Sequence, residues 1–298
     1  LLGDSMIIES SGHVLILGST NSQEFPITRS AENVTMDSFI IRFDTSGSIV
    51  GSIFPNTTAV YDEDDYATSI SLGNDGNVYL TGYVYRKIWV LPDGGVDYQR
   101  AVEGSKYVSE IRDDLSYELQ VTRINGWSNE SVSDIAINQT GYIIVTGQTE
   151  SINFPKLNEI EEFSGGIDAF LTILSPEDLS MVFSSPLGGV DDETETHVSV
   201  DSLGHLIIGG TTNSIDIIPV NAFQSFKSDT DYGVDGYIWS IDLTKQVFIP
   251  EPEPIQIDVD WMFLSALVLP PAASLLFIIG LFRKMKKKRS MSTNEEHG

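Results

Sequence analysis

The sequence predicts an all-β fold of four repeated four-stranded sheets followed by one transmembrane α-helix, and three observations carry that expectation. One short pattern recurs four times at nearly constant spacing. Apolar residues upstream of each copy alternate with a period of two. An uncharged apolar run near the C-terminus is closed by a basic cluster.

The copies read Ser11-Gly12-His13-Val14-Leu15-Ile16-Leu17-Gly18, Asp75-Gly76-Asn77-Val78-Tyr79-Leu80-Thr81-Gly82, Thr140-Gly141-Tyr142-Ile143-Ile144-Val145-Thr146-Gly147 and Leu203-Gly204-His205-Leu206-Ile207-Ile208-Gly209-Gly210. Their first glycines lie 64, 65 and 63 residues apart. Self-similarity at a fixed period marks a repeat architecture, because one small unit cannot bury its apolar face without a neighbour.

Each unit reads as strands in order. Met6 and Ile8, Ile70 and Leu72, Ile135 and Ile137, and Val198 and Val200 alternate upstream of the glycine, as in a strand with one buried face. Gly12, Gly76, Gly141 and Gly204 sit among polar residues, where a hairpin turn needs positive φ. The second strand is apolar enough to be buried on both faces and ends at Gly18, Gly82, Gly147 or Gly210. A Thr-x-Ser element then precedes Phe25-Pro26, Phe154-Pro155 or Ile218-Pro219. A third strand opens at Asp37-Ser38-Phe39, Asp168-Ala169-Phe170 and Asp235-Gly236-Tyr237, and candidate fourth strands lie at 49–54, 181–184 and 246–249. Four antiparallel strands in about 64 residues match one blade of a β-propeller. An immunoglobulin-like module needs about 100 residues, and the period of two excludes helical repeats.

This order of features resembles the bacterial and archaeal SBBP β-propeller repeat, in which D-x-x-G-N-x-Y-x-T-G is followed by T-x-S-x-x-F-P and D-A-F. The second copy carries the core as Gly76-Asn77-Val78-Tyr79-Leu80-Thr81-Gly82, and the third carries Thr149, Ser151, Phe154-Pro155 and Asp168-Ala169-Phe170. The likeness spans roughly residues 4–248 and implies a scaffold, with no shared catalytic residues to carry over. The second copy departs from it after Gly82, where a charged stretch without Phe-Pro predicts a deformed or inserted blade. The expected organisation is β-propeller repeats over 1–248 (about 4–60, 66–127, 131–190 and 194–248), a spacer over 249–260, a transmembrane helix over 261–282 and a basic tail over 283–298. Leu1 is no start residue and no signal peptide precedes the first strand, so upstream blades of a larger propeller and an export signal are expected.

The chain has 298 residues and no cysteine, which excludes disulfides and thiolate metal sites and suits a prokaryotic surface protein. Its net charge is −26, and Arg283, Lys284, Lys286, Lys287, Lys288 and Arg289 supply 6 of its 17 basic residues. The acidic remainder repels phosphate backbones, so nucleic acid is not an expected partner. Residues 261–282, bounded by Trp261 and Phe282, carry no charge and would span about 33 Å as a helix, close to a hydrocarbon core. The positive-inside rule places the basic tail in the cytoplasm and the repeats outside the cell. Ile249-Pro250-Glu251-Pro252-Glu253-Pro254 forms an extended spacer, and with the apolar run and basic end it resembles the PEP-CTERM sorting signal.

Candidate sites are sparse. Asp229, Asp231 and Asp235 place oxygens at alternate positions, a weak calcium pattern without the distal Glu of an EF-hand. N-glycosylation sequons begin at Asn33, Asn56, Asn129 and Asn138. Asp37, Asp168 and Asp235 recur too regularly for catalysis and are expected to bond turn amides. His13 and His205 share a repeat position and read as turn residues, and His197 lies near Asp191, Asp192 and Glu195 without a nucleophile motif. The expectation is a cell-surface, membrane-anchored binding or structural scaffold rather than an enzyme, without a cofactor other than calcium. Its partner would be an extracellular protein or glycan. The rival is a carbohydrate-active lyase or hydrolase using channel carboxylates; non-repeating carboxylates converging on a channel would favour it.

Overall fold

The computed structural model describes residues 2–22, 25, 36–55, 63–86, 105–217 and 234–242. The chain divides into two units, Leu1–Ile249 and Pro250–Gly298, and all described residues belong to the first. They form four antiparallel sheets, each a meander in chain order. The first holds β1 (Leu2–Ile8), β2 (Val14–Thr20), β3 (Asp37–Phe43) and β4 (Ile49–Ile53). The second holds β5 (Glu63–Leu72), β6 (Val78–Arg86), β7 (Ser105–Ile111) and β8 (Glu118–Arg123). In the third are β9 (Glu130–Ile137), β10 (Ile143–Thr149), β11 (Asp168–Leu174) and β12 (Met181–Leu187). The fourth has β13 (Glu193–Val200), β14 (His205–Thr212) and β15 (Asp235–Asp242). The expected strand at 246–249 and the apolar run at 261–282 lie outside the described residues. Among the described residues no helix is long and apolar enough to cross a membrane.

The hairpin joining the first two strands of every sheet is the same turn. Gly12, Gly76, Gly141 and Gly204 have φ of +84°, +89°, +90° and +88°. Each donates its N–H to the carbonyl three residues back, at 2.9–3.1 Å. An L side chain pays about 1–2 kcal/mol in that left-handed region, which explains the recurrence of glycine.

Consecutive sheets stack face to face. Leu15, Leu17 and Ile40 of the first sheet meet Ile70, Val78, Leu80 and Tyr107 of the second. Tyr79 and Val108 on the second sheet's other face meet Ile135, Ile143, Val145 and Phe170 of the third. Ile144, Leu171 and Ile173 then meet Val198, Leu206, Ile208 and Tyr237 of the fourth. Alternate residues of the stretches Val78–Leu80 in β6 and Ile143–Val145 in β10 therefore enter different cores, which is why these stretches carry no polar residue. Burying each such side chain contributes roughly 1.5–3 kcal/mol.

Two expectations are corrected. The first-strand residues Ile70, Ile135 and Val198 are buried, but Met6 and Ile8 are 62% and 69% exposed. They occupy the face that a preceding sheet covers in the other three. On that face Phe25 packs on Phe39, with ring centroids 4.4 Å apart, while Met6 and Ile8 stay exposed. The second sheet is not deformed either, while the alternative of an insertion falls on residues 87–104, which lie outside the described residues. β7 sets Tyr107 opposite Gly82, the register of Phe39 opposite Gly18, Phe170 opposite Gly147 and Tyr237 opposite Gly210. Ser105 stands where the other sheets have Asp, so the motif was invisible although its aromatic was present. The strand-ending glycine is explained by this pairing. A Cβ on Gly82 would meet the Tyr107 hydroxyl at 2.6 Å, and one on Gly147 would meet the Phe170 ring at 2.8 Å and clash with the Ser131 carbonyl.

Candidate functional site

The first strands β1, β5, β9 and β13 lie side by side, and each breaks register at the same repeat position. The irregularities fall between Gly3 and Ser5, Ala67 and Ser69, Val132 and Asp134, and Thr194 and His197. A bulge inserts an unpaired residue and re-aims its neighbours. The residue after each bulge is Ser5, Ser69, Asp134 or His197, a position constant in geometry and variable in chemistry.

Asp134 joins three of these strands. Its Oδ1 accepts the Ser69 hydroxyl at 2.7 Å and the Ile135 N–H at 2.9 Å. Its Oδ2 accepts the Val198 N–H at 3.1 Å and lies 3.5 Å from His197 Nδ1. The His197 side chain is 71% exposed and that of Asp134 21%. The row thus runs Ser–Asp–His with the carboxylate in the middle. A hydrolytic triad needs the imidazole between acid and nucleophile, so that it can take the hydroxyl proton. Here Ser69 donates to a carboxylate already holding two amides. The arrangement fixes strands and presents an imidazole; it does not activate a nucleophile.

A second network lies where the sheets join. In the third sheet Glu130 accepts hydrogen bonds from the hydroxyls of Thr149, at 3.2 Å, and Ser151. Ser151 Oγ accepts the Ser128 N–H at 2.7 Å, and Asn153 Oδ1 the Trp127 N–H at 2.8 Å. The fourth sheet repeats this. Thr212 donates to Glu193 at 2.6 Å, Ser214 Oγ accepts the Asp191 N–H at 2.9 Å, and Asp216 Oδ1 accepts the Val190 N–H at 3.0 Å. The Thr-x-Ser element is therefore a clamp on the linker entering its own sheet.

Asp168 sits beside that clamp, fully buried. Its Oδ2 accepts the Ser164 N–H at 2.8 Å, while Oδ1 has no partner. A Cβ on Gly188 would touch both this Oδ1, at 2.8 Å, and Glu193 Oε2, so the two carboxylates converge there. Burial first, then the charges of Glu193, Glu161 and Asp216 against the Ser164 amide, pushes Asp168 up to about 7.

The other sequence candidates separate. Asp229, Asp231, Asn33 and Asn56 lie outside the described residues. Asp235 opens β15 opposite Thr212. Among the described residues no three acidic or histidine side chains come together as a metal cluster. Asn129 is exposed. Asn138 is buried, its Oδ1 accepting the N–H groups of Thr140 and Tyr142 at 3.0 and 2.9 Å, so its side chain braces the turn. His205 meets Asp201 at 2.8 Å in the equivalent turn. Sequence reading set His197 beside its chain neighbours and missed Asp134, 63 residues away. The repeat period itself was the available signal, because both stand seven residues before a turn glycine.

No protein-family model matches the chain, and comparison with curated proteins finds no match either. Solved structures similar to it include a Dyadobacter fermentans protein of unknown function (11% identity, 69% of this chain and 60% of that chain, TM-score 0.46). Others are the phage phi92 endosialidase (14% identity, 80% of this chain and 35% of that chain, TM-score 0.44) and the Hadza microbial sialidase Hz136 (8% identity, 70% and 41%, TM-score 0.44). The chain spans between 35% and 60% of the length of these three.

Proposed function

We propose that the chain is part of a cell-surface β-propeller, held by a transmembrane helix at 261–282 with the basic tail in the cytoplasm. It serves as a binding or structural scaffold for an extracellular protein or glycan. The observation that carries this reading is the use of the recurring carboxylates. Glu130 and Glu193, at equivalent repeat positions, are consumed in equivalent clamps, and Asp134, at a bulge position whose residue differs in every other sheet, is consumed in tying strands, so these carboxylates build a frame. Loops on a rigid frame are suited to recognition.

One observation favours the enzymatic alternative: Asp168, held near neutrality beside Glu193, has the acid–base character a glycoside hydrolase needs. Its complete burial separates it from any substrate. Two measurements test the reading. Protease added to intact cells should degrade the sheets and spare an epitope tag on Gly298; loss of the tag reverses the orientation. The full chain should leave a panel of glycans at background hydrolysis, and turnover abolished by Asp168→Asn would overturn the scaffold.

A further inference from the structure

Exposed apolar side chains recur on the clamped linkers. Trp127 is 86% exposed and Val190, its counterpart 63 residues on, 53%. Ile152 and Ile215 are likewise counterparts, 76% and 73% exposed. Trp127 donates its N–H to Asn153, the neighbour of Ile152, and Val190 donates to Asp216, the neighbour of Ile215. The junction of the second and third sheets and that of the third and fourth therefore each carry one apolar pair, set by the same hydrogen bond. Single exposed hydrophobics need no explanation, whereas a repeated cluster on fixed backbone marks an interaction surface. Held in place before a partner arrives, these side chains lose little freedom on binding.

The charge around the pairs selects the partner. Glu150, Asp191 and Asp216 are exposed and adjoin Ser151–Ile152, Val190 and Ile215 in the chain. Of the two basic residues close by in the chain, Lys156 is paired with Glu162, and the exposed Arg123 leaves the three carboxylates in excess. A neutral glycan could stack on the Trp127 ring and donate hydroxyls to the carboxylates, but it brings no cation to offset their charge. An acidic or anionic partner would be repelled. A segment with interleaved apolar and basic side chains satisfies both, its cations pairing with carboxylates or stacking on Trp127.

We propose that the Trp127–Ile152 and Val190–Ile215 pairs dock a basic, apolar-studded peptide segment of a partner protein. This rests on the scaffold reading and names the partner's chemistry. The test uses the unglycosylated full chain in detergent micelles and a fluorescent octapeptide alternating leucine and lysine, with an all-lysine octapeptide and neutral oligosaccharides as comparisons. The leucine–lysine peptide should bind at least tenfold more tightly than the all-lysine one. Trp127→Ser with Ile215→Ser should weaken it tenfold or more, at unchanged circular dichroism and melting. Ile238→Ser, a control exposed elsewhere on β15 at 77%, should leave it unchanged. Equal binding to the double variant, or oligosaccharides that displace the peptide and quench Trp127, would overturn the docking site. Either result leaves the scaffold standing, which glycan turnover alone would overturn.

Discussion

The first and third sheets have the same strand order, the same left-handed turn glycine and the same phenylalanine pair, yet they differ in what covers them. Phe25 packs on Phe39 at 4.4 Å in one, and Phe154 on Phe170 at 4.7 Å in the other. Ile135 in β9 is 4% exposed, whereas Met6 at its repeat position in β1 is 62% exposed. Alternation in sequence therefore reports that a face is suited to burial; whether it is buried depends on a neighbouring sheet. The sheets are equivalent in local design and unequal in tertiary support.

The largest expected effect lies in the supported sheet. Phe170 is fully buried between β10, Phe154 and the second sheet. Phe170→Ala should cost about 3–5 kcal/mol through lost burial and the cavity beside Gly147. Chemical denaturation of the full chain measures it. A cost below about 1 kcal/mol would mean that the third sheet is no better supported than the outer face of the first.

A smaller, pH-dependent effect belongs to the junction of the third and fourth sheets. Asp168 is raised to about 7 in the folded chain, above an unfolded value of about 3.9. The folded state therefore holds its proton more tightly, and this site loses stability as pH rises from about 4 to about 7. Asp168→Asn keeps an acceptor for Ser164, adds a donor toward Glu193 and removes the titration. The variant should gain on the parent across that window, by on the order of 2 kcal/mol by pH 8. A gap between variant and parent that stays constant from pH 4 to 8 would show that Asp168 carries no buried charge.

What was legible follows from how local each signal is. Turn glycines and strand alternation are set by backbone conformation within a few residues, so all four units could be read. Tyr107 was missed because the pattern was read with its leading Asp, and Ser105 stands there instead; the physical requirement is only a ring opposite Gly82. The pairing of Asp134 with Ser69 and His197 depends on bulges that bring three strands into one row, and no short motif encodes that. The clamp was half legible: Thr-x-Ser was visible, but its acceptor Glu130 lies 21 residues before Ser151. The recurrence of Asp168 was legible, but its convergence with Glu193 was not, nor that Glu193 is hydrogen-bonded on both oxygens and Asp168 on one.

The smallest expected effect is the most direct check on the comparison. Ile8 is 69% exposed in β1, opposite Val14, while its counterpart Leu72 in the second sheet packs against a core. Threonine keeps the β-branched shape that suits a strand and replaces a methyl-bearing carbon with a hydroxyl, which water can satisfy only if the face is open. Ile8→Thr should therefore change stability by less than about 0.5 kcal/mol, while the same polar substitution at Ile135 should cost several times more. Equality of the two costs would mean that the outer face of the first sheet is buried in solution, by another sheet or a second copy. Repeating the denaturation at two protein concentrations separates those causes, since burial by a second copy weakens on dilution and burial within one chain does not.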